Sequence, residues 1–156
     1  MAGESVLISN GGASAPEPNP GRFVWQVRVY WEDTDAGGVV YHSNYLSFFE
    51  RARTEWLRAR GVHQARMAAE EGVLFAIRHM DVDWMAPARL DDLLDISVHS
   101  VEAGGARLVF RQDMHRAGDG AHLASATVKA VCLKADTFKP TRMPDWIRTE
   151  INEHVE

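Results

Sequence analysis

The segment Glu32-Asp33-Thr34-Asp35-Ala36-Gly37-Gly38-Val39-Val40-Tyr41-His42-Ser43-Asn44-Tyr45 brings three carboxylates, two glycines and a histidine together in one short stretch. A carboxylate such as Asp35 can take a proton from water or attack a carbonyl carbon directly. If a helix starts just after the glycines, its first turn offers unpaired N–H groups and about half a positive charge. The amides near Tyr41 and His42 are then the candidates to hold a polarised carbonyl or a tetrahedral oxyanion, a donor worth roughly 2.7–4 kcal/mol in a transition state. Gly38, Val40 and Tyr41 are the accompanying candidates for substrate contact through backbone or pocket, since Gly37 and Gly38 allow a sharp turn and a close backbone approach. Together these groups suggest acyl transfer to water. The plainer alternative is that Asp33 and Asp35 are turn residues, a role Asp favours. A calcium loop matches only in part, because Gly37 and Asn44 stand where the fifth and twelfth ligands belong.

Elements on both sides must position this loop. Residues 24–31 are rich in β-branched and aromatic types, with Trp25, Val27, Val29 and Trp31 on one parity, and predict a strand. Downstream, Tyr45, Phe48, Phe49, Ala52 and Trp56 recur at offsets 0, 3, 4, 7 and 11, one apolar face of a helix. Ser43 or Asn44 is placed to cap its start and Gly61 to end it, with Arg58 and Arg60 in the last turn. Residues 64–71 predict a second, short helix ended by Gly72. Residues 75–84 predict a strand of mixed parity, broken by Pro87. Leu94, Ile96 and Val98 alternate with polar residues, Ala103-Gly104-Gly105 signals a hairpin, and Leu108, Phe110, Gln112 and Met114 share a parity in the next strand. Residues 116–120 turn again, residues 124–133 give a long last strand, and a short amphipathic turn with Trp146 and Ile147 closes the chain. Strands following one long helix indicate an α+β fold with antiparallel pairing in a meander.

The run from Tyr30 to Tyr45, followed by Phe49-Glu50-Arg51-Ala52-Arg53-Thr54-Glu55 and by Ala86-Pro87-Ala88-Arg89-Leu90-Asp91-Asp92, resembles the YbgC-type acyl-CoA thioesterases. These are associated with the Tol-Pal gene cluster and belong to the 4-hydroxybenzoyl-CoA thioesterase group of the hotdog superfamily. The resemblance covers residues 22–148. It implies a hotdog fold, in which a curved antiparallel sheet of about five strands wraps around one long helix. It implies that Asp35 is the catalytic base or nucleophile. It also implies that His42 contributes to the site through its ring and through a backbone amide that polarises the thioester carbonyl. An acyl-CoA or acyl-carrier-protein substrate, no cofactor or metal, and a homodimer or homotetramer with its site at the subunit interface follow as further expectations. Trp31 stands where a Tyr is common in that family.

Composition limits the other readings. A chain of 156 residues, 46% hydrophobic, suits a single domain with a sizeable core. A net charge of −5 argues against a nucleic-acid footprint. Cys132 is the single cysteine and sits in an apolar run, so it reads as a core residue in a reducing, cytoplasmic setting. Residues 1–21, with Pro16, Pro18 and Pro20 and little apolar content, are expected to be a disordered tail, and residues 22–156 the folded domain. His63, His79, His99, His115 and His122 lack metal-ligand spacing. Arg78, Arg89, Arg107, Arg111, Lys129, Lys134, Lys139 and Arg142 are available for coenzyme A phosphates, and Trp25, Trp31, Trp56 and Trp84 are expected in the core. Two other functions stay open. One is a non-catalytic hotdog module that binds acyl groups or partner proteins of lipid metabolism or the envelope. The other is a hotdog dehydratase, which would need a different His and helical acid arrangement.

Overall fold

The computed structural model describes residues 22–152, so the expected tail and the last four residues lie outside the described residues. Five strands form one antiparallel sheet: β1 (Phe23–Arg28), β2 (Val73–Trp84), β3 (Leu93–Gly104), β4 (Arg107–Arg116) and β5 (His122–Lys134). Their spatial order is β1-β3-β4-β5-β2. The expected meander therefore holds only for β3-β4-β5. β2 pairs with β5, and the chain then crosses from that edge of the sheet to β3 at the other side. Alternation of apolar and polar residues identifies which face a strand buries but not which strand lies beside it.

The long helix α1 (Asn44–Ala59) buries Tyr45, Phe48, Phe49, Ala52 and Trp56, the face its spacing predicts. Opposite it stand Leu94, Ile96 and Val98 of β3 and Leu108, Phe110, Gln112 and Met114 of β4, all buried. Trp56 meets Phe110 edge to face at 5.3 Å. Burying a side chain of this kind contributes roughly 1.5–3 kcal/mol. Arg53 lies on the same buried face and donates through Nη1 to Gln112 Oε1 at 3.0 Å, while Gln112 Nε2 donates to the helical carbonyl of Phe49 at 3.0 Å.

The end of α1 follows from glycine stereochemistry. Gly61 has φ +81, Gly61 N–H donates to Arg58 O and Val62 N–H to Leu57 O, the paired bonds of a Schellman motif. Helix α2 (Gln64–Glu71) ends at Gly72, φ +68, as its sequence predicts. The mixed parity of β2 has a local cause as well. A register shift between Ile77 and His79 lets Phe75 on one side and Met80 and Val82 on the other pack against the same core.

Two elements differ from expectation. β1 stops at Arg28 rather than at Trp31, because Asp33 Oδ2 accepts the Tyr30 N–H at 2.8 Å and folds residues 31–33 into a 3-10 turn. Trp31 is turned out to 78% exposure, and Trp25 and Trp84 are partly exposed, so of the four tryptophans expected inside only Trp56 is core. The closing amphipathic turn is a full helix, α3 (Asp145–Asn152), burying Ile147 and Ile151.

The other sheet face is polar and carries a histidine pair. His115 and His122 stack at 4.5 Å, and His122 Nε2 lies 2.9 Å from Asp113 Oδ1. Asp95, the cross-strand partner of His115, accepts the Gln26 Nε2–H at 2.8 Å. Burial lowers the His115 pKa from 6.5, and His122 and Arg22 add to this against the opposing pull of Asp113 and Asp95. The unfolded chain therefore binds this proton first on acidification, so His115 stabilises the fold above pH 6.5 and loses that contribution as pH falls toward its folded value. Burial raises the Asp95 pKa, which acts in the opposite sense at lower pH. Thermal unfolding followed from about pH 7 to about pH 5 should show a loss of stability that His115→Gln reduces. An unchanged slope in the variant would contradict this assignment.

Candidate active site

The acidic loop closes on itself before the helix begins. Asp35 N–H donates to Val39 O at 2.9 Å, Gly38 N–H donates to Asp35 O at 3.0 Å, and Thr34 and Val40 form an antiparallel bridge. Gly38 takes the left-handed position, φ +81, which a type I turn followed by a bulge requires. Gly37 answers a different need. Its N–H donates to Asp35 Oδ1 at 2.8 Å, and a Cβ there would lie 3.2 Å from the same oxygen. Asp35 thus sits at an exposed loop tip with one carboxylate oxygen held by its own turn and Oδ2 without a partner among the described residues.

Three of the candidate backbone groups are taken up, two in closing the loop and one in fixing it to the rest of the domain. Val40 N–H donates to Ala88 O at 2.9 Å, Tyr41 N–H to Asp33 O at 3.0 Å, and Gly38 N–H to Asp35 O. These amides hold the loop and are not free for a ligand. The N–H groups of His42 and Ser43 donate to no acceptor among the described residues. They lie at the entry to α1, where the dipole adds to their partial charge. The cap differs from expectation: Ser43 makes no side-chain cap bond, and Asn44 Nδ2 donates back to Asp33 O at 2.8 Å instead. Asp33 therefore ties the 3-10 turn, the loop and the helix entry together and is a framework residue.

The His42 ring is packed rather than hydrogen-bonded. It lies 4.5 Å from the Tyr41 ring and 6.1 Å, edge to face, from Trp84. Trp84 in turn meets Tyr45 edge to face at 6.5 Å. Tyr45, buried, accepts the Ala88 N–H on its hydroxyl at 3.0 Å. Ala88 thus grips the site from both sides, by its carbonyl to Val40 and its N–H to Tyr45, and Val39 bridges to Arg89. This role of residues 86–92 is absent from any reading of the loop by itself and shows only in the contacts of the buried Ala88.

The neighbourhood of Asp35 and His42 is open. Tyr41 and Trp84, which flank the His42 ring, are about half exposed. A shallow depression of about 290 Å³ lined by Arg78, His79 and Lys129, and another of about 410 Å³ lined by Glu71, Gly72, Val73, Lys134, Ala135, Asp136 and Thr141, lie elsewhere. Among the described residues, no three His, Cys, Asp or Glu side chains converge as metal ligands would. Cys132 is buried, and burial pushes its thiol up to about 11, which leaves it protonated and inert at neutral pH. Glu50 is exposed, and its charge favours the protonated form of Arg53. No helix among the described residues is long and apolar enough to cross a membrane.

Comparison with known proteins identifies the family and the fold. Residues 29–151 match the model of the thioesterase-like superfamily. The chain is 46% identical over 131 residues to the acyl-CoA thioester hydrolase YbgC of Escherichia coli O6:H1, covering 84% of this chain and 96% of that one. It is 42% identical over 126 residues to the acyl-CoA thioesterase YbgC of Haemophilus influenzae, covering 81% and 91%. Among solved structures, a probable thioesterase from Bartonella henselae superposes with a TM-score of 0.74 at 37% identity, over 79% of this chain and 99% of that one. A 1,4-dihydroxy-2-naphthoyl-CoA thioesterase from Synechocystis gives 0.79 at 25% identity, over 85% and 96%. The five-stranded sheet with one long helix on its face is accordingly a hotdog fold, and the chain belongs to the thioesterase-like superfamily, as a member of its YbgC-type thioesterases.

Proposed function

We propose that the protein hydrolyses acyl-CoA thioesters to the free acid and coenzyme A, with Asp35 and the amide of His42 as its working groups. The observation that carries this reading is the free Oδ2 of Asp35 on a loop whose other end presents the unpaired N–H groups of His42 and Ser43. A thioester carbonyl oxygen accepting from those N–H groups gains positive potential where negative charge develops in the transition state. Asp35 then takes a proton from the water that adds to the carbonyl carbon, or adds itself and gives an anhydride that water opens. In both routes the C–S bond breaks, the thiolate leaves and is protonated, and the carboxylate is regenerated. The His42 ring, packed between Tyr41 and Trp84, borders the same space.

Other expectations belong to the same reading. β2 is a twelve-residue strand at the sheet edge with Ile77 and Trp84 about half exposed, which favours a second copy of the chain as a cover for that edge. A homodimer or homotetramer would enclose the open surface beside His42. An acyl-carrier-protein thioester presents the same reacting group as acyl-CoA and is a second substrate class. A cytoplasmic location rests on the single cysteine, Cys132, and the Tol-Pal association on the family likeness.

The experiment is a panel of aliphatic acyl-CoAs of increasing length and aromatic acyl-CoAs, with thiol release measured against the uncatalysed rate. Turnover of at least one is expected. Binding of acyl-CoAs without turnover would instead favour a non-catalytic acyl-binding module.

A further inference from the structure

The strap that grips the acidic loop is itself held by one side chain that the chemistry above does not use. Arg116, at the end of β4, donates Nη2–H to Pro87 O at 2.7 Å and Nε–H to Asp92 Oδ2 at 2.9 Å. Asp92 Oδ2 also accepts the Arg89 N–H at 2.9 Å, and its backbone carbonyl accepts the Val29 N–H at 2.9 Å. Asp91, between them, sits at φ +70, a left-handed turn closed by its N–H to Val29 O and by Arg28 Nη1 on its carbonyl. The planar fork thus pins both ends of residues 87–92 and Ala88 lies inside that span. Ala88 is fully buried and makes the two bonds, to Val40 N–H and to the Tyr45 hydroxyl, that locate the loop against the start of α1.

We propose that Arg116 is a positioning residue for hydrolysis: by holding Pro87 O and Asp92, it sets Ala88 and so the placement of the Asp35 loop relative to the free His42 amide. The inference rests on the assignment of Asp35 and His42 given above. Arg116 touches neither. Its effect passes through one strap and two backbone bonds, so it falls on the geometry of the reacting groups and not on substrate affinity. A displacement of roughly 1 Å at such groups lowers a rate by about 100-fold. A lysine at this position supplies charge without the fork and can meet one acceptor at a time.

The test compares Arg116→Lys, Arg116→Ala and Asp119→Asn with the wild type, on an acyl-CoA that the wild type hydrolyses. Asp119 takes the third Arg116 bond, at 2.9 Å, but does not touch the strap. Expected is a fall in kcat of about 10- to 100-fold for Arg116→Ala with KM little changed, and a smaller fall for Arg116→Lys. Asp119→Asn should have kcat near that of the wild type. Added guanidinium ion, at concentrations that leave the wild type unaffected, should restore part of the Arg116→Ala rate. Wild-type kcat in folded Arg116→Ala would overturn the proposal, as would a loss that only tracks the unfolded fraction, or no recovery with guanidinium. If Arg116→Ala does not fold, Arg116→Lys decides by the same split between kcat and KM. Absence of turnover in the wild type would count against the Asp35 reading, whereas turnover insensitive to Arg116 counts against this one alone.

Discussion

Asp35→Asn is expected to lower kcat by about 10²–10⁴-fold, the range in which a positioned proton acceptor contributes. The melting temperature should stay within about 2 °C of the wild type. The two expectations separate chemistry from architecture because of one contact. Gly37 N–H donates to Asp35 Oδ1 at 2.8 Å, and the amide oxygen of asparagine can accept that bond equally well. The turn survives, while the charge and the second carboxylate oxygen are lost. If Asp35 served only the turn, the variant would hydrolyse thioesters at the wild-type rate. Thiol release and thermal unfolding on the same preparation decide between the two.

The second large effect lies in the core. Gln112 is fully buried, accepts from Arg53 and donates to Phe49 O. Burial brings the Arg53 pKa down to about 10, against the opposing charge of Glu50, so the guanidinium remains charged at neutral pH. Gln112→Leu removes its acceptor and should cost about 3 kcal/mol, the upper end for a hydrogen bond to a charged group. Replacing both partners, as Arg53→Met with Gln112→Leu, removes the stranded charge and should recover most of that loss. Denaturant unfolding of the four proteins gives the coupling directly. A double variant as unstable as the sum of the single ones would show that the pair does not act as a unit.

These two sites also show what the chain makes visible and what it hides. The apolar stripe of α1 and the glycine at each helix end could be read from spacing because both depend on local periodicity and local backbone angles. Gln112 shares its parity with Leu108, Phe110 and Met114, which pointed to its burial, but its partner Arg53 reads as a surface residue by type. Only the packing of α1 on the sheet pairs them. β-propensity continues through Tyr30 and Trp31, beyond the end of β1 at Arg28, because the bond to Asp33 that turns the chain there is a side-chain contact that propensity does not contain. Strand order was not legible either, since the partner of β2 lies far along the chain.

At the site, Asp35 and His42 stood out by their place around a glycine turn and by the family likeness. Which amides remain free could not be read there. Gly38, Val40 and Tyr41 are consumed by Asp35, Ala88 and Asp33, and the last two become neighbours through a long-range and a loop-closing contact that carry no local pattern. Ala88 and Arg116 likewise act through contacts between distant segments.

The proposed hydrolysis requires a thioester held between the Asp35 carboxylate and the amides of His42 and Ser43. It is tested most directly by the structure of Asp35→Asn with an intact acyl-CoA bound. The thioester oxygen is expected about 2.7–3.1 Å from the His42 nitrogen, with the residue 35 side chain on the opposite side of the carbonyl carbon. A thioester bound away from His42, or with its carbonyl turned from that amide, would contradict it.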